Sequence, residues 1–441
     1  MSDRAALKAA ACQRIDQHRE MILDIVEDIY REPETGFREQ RTARVVMDAF
    51  DRLGLPYQSG LGLTGVKARL DGGAPGPSVC IMGELDALIV PDHLDAHPER
   101  RTAHACGHNG QIGSMLGATI GLMAAEVLPA LSGRIVPFAV PAEECIEIGH
   151  RLGLRAAGEI EFIVGKAELV RIGAFDDVDM AMMVHASATP EGRFQISSSN
   201  NGAIIKQARF LGRAAHAGGA PHRGINALRA AMLALAGIDA QRETFKDTDT
   251  VRVHPIISEG GRSVSIIPAD VRMETFVRGR TLEAIEDANM KVDRALRGGA
   301  ITMGATVEIT TVPGYLPMEQ DTNLVALFRQ NAAALVGADE VCDTGHRTGS
   351  TDAGDLSQIM PMLHPHAGGA TGTGHGADFR IVDFDNVVLN AAKAMAMTTI
   401  DLLADGAAEA NRVTAEFQPK LDRTGYLEAL RRLAYERTYA D

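Results

Sequence analysis

Arg134-Ile135-Val136-Pro137-Phe138-Ala139-Val140-Pro141-Ala142-Glu143-Glu144 is an apolar run that breaks at Pro141 and delivers two adjacent carboxylates. A short, unbroken apolar run bounded by turn residues is the pattern of a strand covered on both faces. Upstream, Val66 to Leu70 alternates apolar with basic residues, and Val79 to Met82 ends in Gly83-Glu84-Leu85-Asp86; both read as strands. Met115 to Val127 reads as a helix between them and the quoted run, and Val178 to Val184 is a further apolar run that delivers His185. Strand, helix, strand with carboxylates, then strand with histidine is α/β logic, with polar side chains collected at strand exits.

The opening is helical: Ile15, Met21, Ile22, Ile25, Val26 and Ile29 recur at helical spacing, and the pattern resumes from Ala43 to Leu53 after Pro33 and Gly36. From about Gln195 to Ile309 the order changes to strand (Ala203 to Leu211), helix (Asn226 to Asp239), strands (Arg252 to Ile257 and Asp270 to Val277), helix (Thr281 to Ala295) and strand (Thr306 to Thr311). That is the β-α-β-β-α-β order of a ferredoxin-like α+β unit. Pro313, Gly314 and Pro317 mark a return to the first pattern, with helices at Thr322 to Leu335 and Phe384 to Leu403. The expected organisation is an α/β domain with a mixed sheet flanked by helices, built from residues 1–195 and 313–441 and interrupted by a smaller domain at 196–312.

At 441 residues with 45% hydrophobic content the chain exceeds one compact core, which agrees with two domains. A formal charge of −14 argues against nucleic acid or an anionic membrane as partner. Met115 to Leu131 is broken by Gly117, Gly121, Glu126 and Pro129, short of the roughly 20 apolar residues a membrane-spanning helix needs. The charged stretch Met1 to Arg19 has no signal-peptide pattern, and five scattered cysteines fit a reducing compartment, so a cytoplasmic location is expected.

The densest chemical cluster is His104-Ala105-Cys106-Gly107-His108-Asn109-Gly110-Gln111, where thiol and imidazoles alternate with residues small enough for a tight turn. Such a loop presents two ligands to a metal, although alone it reads equally as a turn with a buried cysteine and solvated histidines. Its company favours the metal: Glu143-Glu144 after one strand, His185 after another, and His375 within Thr371-Gly372-Thr373-Gly374-His375-Gly376. A ligand and a general base one residue apart is what metal-assisted hydrolysis requires.

These residues resemble peptidase family M20, the group of metal-dependent aminoacylases, hippurate hydrolases and auxin-conjugate amidohydrolases. The resemblance spans essentially the whole chain and is carried by Gly83-Glu84-Leu85-Asp86-Ala87-Leu88, Ala105-Cys106-Gly107-His108, Pro141-Ala142-Glu143-Glu144, Phe175-Asp176-Asp177-Val178-Asp179 leading to His185, and Ala215-His216-Ala217 with Pro221-His222. It implies Cys106, His108, Glu144, His185 and His375 as ligands of one or two divalent ions, manganese or zinc, with Cys106 as a possible bridge and Glu143 as general base. It also implies a positioning role for Asp86, a lid and dimerisation role for the inserted domain, a lid histidine at His216, a small-molecule substrate and a homodimer.

This chain departs from the family pattern at Asn109 and Gln111, where relatives carry aspartate and histidine, and at Ser265, where asparagine is common. The segment between Glu144 and His185, with Cys145, Glu147 and His150, is longer than the family norm. Gly349 to Asp355 resembles the turn of p-aminobenzoyl-glutamate hydrolases, pointing to aromatic amides; a related branch removes the amine of a nitroanthranilate. Arg278 is a candidate for pairing a substrate carboxylate. Gly60 to Gly65 matches G-x-G-x-x-G but precedes a strand, so no helix N-terminus awaits a pyrophosphate. His93, His97 and His346 read as surface residues; His364 and His366, which flank Pro365, read first as loop residues, with the lining of the pocket by one of them as the alternative. The leading expectation is hydrolysis of the amide of an N-acyl amino acid or aromatic amide. Hydrolytic deamination of an amino-aromatic and a non-catalytic binding or regulatory protein are the alternatives; Glu143 speaks against the latter, because such a protein needs no base beside a ligand.

Overall fold

A computed structural model of the chain describes residues 3–440. Two compact units make it up: Met1–Ser199 with Glu319–His346 and Asp355–Lys420, and Asn200–Met318 with Arg347–Gly354 and Leu421–Asp441.

In the first unit a seven-stranded sheet runs Tyr57–Leu61, Gly65–Ala68, Ser132–Val140, Ala74–Glu84, Met180–Met182, Met362–Leu363, with Leu70–Asp71 also paired to Ser132–Val140. The strands from Ser132–Val140 to Met362–Leu363 are parallel to their neighbours, and the Gly65–Ala68 side is antiparallel. Register sets Glu84 opposite Val140. Parallel strands ending level send Leu85-Asp86 and Pro141 to Glu144 out of the same end of the sheet, where α/β folds gather chemistry. The Met180–Met182 strand leads to a second ladder, in which His185–Ser187 runs parallel to His366–Gly368 with His185 opposite His366.

Helix His108–Leu122 is buried along its whole length, as its lack of Asp, Glu, Lys and Arg requires. It starts seven residues before the expected Met115 because the turn at Gly107 launches it directly from the Cys106 loop. It packs against Arg4–Gln17, Arg19–Arg31 and Ala391–Glu416. The segment Asp385–Glu416 is long and apolar enough to cross a membrane by length and composition, but 89% of its apolar window is buried inside the protein, and the helix is broken at Ala404 to Ala407. The Gly60 to Gly65 glycines form a hairpin between Tyr57–Leu61 and Gly65–Ala68.

The second unit is a six-stranded antiparallel sheet ordered Arg252–Val253, Asp270–Gly279, Gly202–Leu211, Thr306–Tyr315, Tyr435–Tyr439, with Ile256–Glu259 also on Asp270–Gly279. Burial alternates strictly along Asp270–Gly279, and its buried face lies on helices Ala227–Ala240 and Leu282–Thr302. The last strand departs from the expected division, which assigned 313–441 wholly to the first domain. Tyr435–Tyr439 pairs with Thr306–Tyr315, and the buried Lys206 ammonium lies 2.7 Å from Asp293 and 3.1 Å from the Tyr435 hydroxyl. Its Glu436 and Arg437 give no apolar run to read as a strand.

Candidate metal centre

Left-handed backbone shapes the turns that carry the candidate ligands. Gly107 has φ +88°, and a Cβ there would lie 2.8 Å from the Cβ of Ala186, so only glycine fits between Cys106 and His108. Ala142 (φ +54°) precedes Glu143-Glu144, and His375 itself has φ +63°. Such strain persists only where surroundings over-determine it. The Ala142 N–H donates to Glu39 Oε1 at 2.8 Å, and the His375 N–H donates to the Ala105 carbonyl at 2.9 Å. The wholly buried Arg151 donates to the Ile163 carbonyl at 2.7 Å, to that of Ala142 at 3.4 Å, and to that of Glu144. We expect Gly107→Ala to lose about 1–3 kcal/mol of stability from the positive φ alone, measured by denaturant unfolding.

Two donor sets meet at one thiol. Cys106, His108 and His185 bring their ligand atoms within 4.8 Å of one another, and so do Cys106, Glu144 and His375. The Cys106 sulfur is 3.2 Å from His185 Nε2, and His375 Nε2 is 3.0 Å from Glu144 Oε1. A third set joins Glu84, His108 and the buried Glu143. Asp86 lies beneath them. Its carbonyl is 2.9 Å and its Oδ1 3.3 Å from His108 Nδ1, while its Oδ2 accepts the Glu144 N–H at 2.9 Å. Held at Nδ1, His108 presents Nε2 to the centre, as outer partners of metal-bound histidines do. His185 is held likewise, its Nδ1 2.6 Å from the Ala186 carbonyl.

A divalent ion fits this arrangement. His108 Nε2 and Glu144 Oε1 are buried, 3.1 Å from Glu84 Oε2 and 3.0 Å from His375 Nε2 respectively. Each of these two residues brings its ligand atom within 4.8 Å of the Cys106 sulfur, and thiolate, imidazole and carboxylate together suit a borderline cation.

The electrostatics follow from the same contacts. Burial and Glu144 oppose ionisation of Cys106, but His185 and His108 outweigh them and bring the thiol down to about 6. Glu144 beside His375 lifts that imidazole to about 11, even though its side chain is 55% exposed. Burial opposes ionisation of Glu144 too, yet His375 and His108 hold it down at about 2.

Several neighbours were not legible as site residues. Glu84, at a strand exit like Asp86, pairs its Oε1 with the wholly buried Lys166 at 2.6 Å. His364 and His366, expected in a loop, are buried with ring centroids 6.0 and 5.3 Å from that of His185. An apolar run ending in histidine, Met362-Leu363-His364, repeats the Val184-His185 signal that identified His185. His93, expected at the surface, is buried with Nε2 2.9 Å from the Phe379 carbonyl, because the loop carrying it folds under that segment. His104 is also buried, which pushes its imidazole down to about 3.

His216 and Arg278 belong to the second unit. His216 is exposed, and its Nδ1 accepts the N–H groups of Gly218 and Gly219 at 3.1 and 2.8 Å, which puts its proton on Nε2. Arg278 stacks over the Phe276 ring at 5.1 Å.

The sequence profile described as peptidase family M20/M25/M40 matches residues 80–400. An indole-3-acetyl-aspartic acid hydrolase of Enterobacter agglomerans is 30% identical over 441 residues, covering 85% of this chain and 94% of that one. A Xaa-Arg dipeptidase of Mus musculus is 27% identical over 416 residues, covering 90% and 89%. The crystal structure of a Bacillus subtilis dinuclear metal-binding peptidase of the M20 family superposes with TM-score 0.65 at 20% identity, covering 88% of this chain and 99% of that one.

Proposed function

Because the chain belongs to peptidase family M20/M25/M40, we propose that it is a metal-dependent hydrolase of a small-molecule C–N bond, acting on the amide of an N-acyl amino acid or an aromatic amide. The observation that carries this reading is the meeting of Cys106, His108, Glu144, His185 and His375 around one thiol with Glu143 beside them. The relatives support the amide: one is named for hydrolysis of indole-3-acetyl-aspartic acid and the other is a dipeptidase.

In this reading the five side chains hold one or two ions of zinc or manganese, the metals that a mixed sulfur, nitrogen and oxygen set admits. Bound there, a divalent ion supplies Lewis acidity toward the carbonyl and acidifies water. Glu143 accepts the proton of the attacking water and returns it to the departing nitrogen as the C–N bond breaks. Asp86 keeps His108 and the Glu144 backbone in place. The protein works as a cytoplasmic homodimer, with His216 and Arg278 as further substrate-binding residues, Arg278 by pairing a carboxylate. Met232, Leu233, Met290 and Ile301, exposed on the two helices of that unit, are apolar surface suited to an interface.

The test is elemental analysis of protein purified without added metal, with a panel of acyl-amino acids, aromatic amides and amino-aromatics assayed for amine and ammonia release. We expect metal in stoichiometric amount and chelator-sensitive release from the acylated substrates. Ammonia from a nitroanthranilate alone would move the activity to the aryl branch, and metal without turnover on any substrate would favour a binding protein.

A further inference from the structure

We infer that Lys166 is a resident monovalent cation that takes up Glu84 and thereby confines divalent metal to the two donor sets meeting at Cys106. This rests on the metal-dependent function proposed above.

Glu84 and Lys166 are both buried, with side-chain exposures of 1% and 0%, and Lys166 Nζ is 2.6 Å from Glu84 Oε1. The other oxygen of Glu84 accepts from Gln111 Nε2 at 2.9 Å, and Gln111 Oε1 in turn accepts the Glu84 N–H at 3.2 Å. Glu84 is thus held on both oxygens while remaining within 4.8 Å of the ligand atoms of His108 and Glu143. Two carboxylates and an imidazole would, by themselves, make a third site attractive to a hard cation. An ammonium has no lone pair to share, and its charge repels a second cation at close range in a buried setting. Glu84 consequently serves as a hydrogen-bonded wall of the centre instead of a ligand.

The backbone fixes this ammonium in place. Lys166 is the second residue of helix Gly165–Arg171, whose first N–H donates to the Ala142 carbonyl at 3.0 Å. A Cβ on Gly165 would fall 1.6 Å from the Pro141 carbonyl oxygen, so the helix is seated directly on the turn that carries Glu143-Glu144. Lys166 comes from the segment between Glu144 and His185, and Gln111 from helix His108–Leu122. A basic residue and an amide have come into one network beside the same carboxylate.

Wild type, Lys166→Met and Glu84→Gln are stripped with chelator, back-titrated with manganese(II) or with zinc(II), and analysed for ions per chain, with circular dichroism and a thermal melt to establish folding. A folded Lys166→Met is expected to take up one more ion per chain than wild type, and adding Glu84→Gln to it should return the count to the wild-type value. Glu84→Gln alone should keep that value. A folded Lys166→Met with an unchanged count, or a Glu84→Gln that loses an ion, overturns the inference; the second holds even if Lys166→Met does not fold. A wild type that binds neither metal overturns the proposed function instead.

Discussion

Glu143→Gln should lower turnover by roughly 10²–10⁴-fold, the usual worth of a general base, while leaving the metal content at its wild-type value. The amide has the shape of the carboxylate but accepts no proton at neutral pH. Glu143 is buried beside His108 and Glu84, so the change leaves both Cys106-centred donor sets complete. Turnover is measured on whichever acylated substrate the panel identifies, and metal by elemental analysis of the same preparation. Unchanged turnover would remove Glu143 from the chemistry, and a parallel loss of metal would make it a ligand.

Cys106→Ala should have the opposite signature: metal is lost first and activity with it. Its sulfur is the one atom common to the set with His108 and His185 and the set with Glu144 and His375. Loss of an outer-shell partner already costs roughly 10–100-fold in metal affinity, and removing a shared ligand should exceed that. The measurement is ion retention during dialysis against a weak chelator. His185→Ala, which disturbs one set only, is the comparison; equal retention by Cys106→Ala and wild type would place the ions elsewhere.

The strands were legible because their apolar runs are short and end in charge: Val79 to Met82 before Glu84 and Asp86, Arg134 to Val140 before Glu143 and Glu144. The candidate ligands were legible because each follows such a run or sits in a glycine-rich turn. Lys166 and Arg151 were not, since a lysine and an arginine in a charged, glycine-containing segment read as solvated, and only tertiary contacts make them the largest fully buried side chains of that region. His364 carried the right local signal, but Pro365 beside it argued for a loop. The strand Tyr435–Tyr439 carried almost none, because it lies at a sheet edge with three of its five residues exposed and none buried.

That edge strand has a consequence during synthesis. Thr306–Tyr315 leaves the ribosome more than a hundred residues before the partner that covers it, and over that interval its open N–H and C=O groups are a template for pairing with another nascent chain. Slow translation or crowded expression should therefore penalise this protein through misassembly of its second unit, before the metal centre ever comes into play.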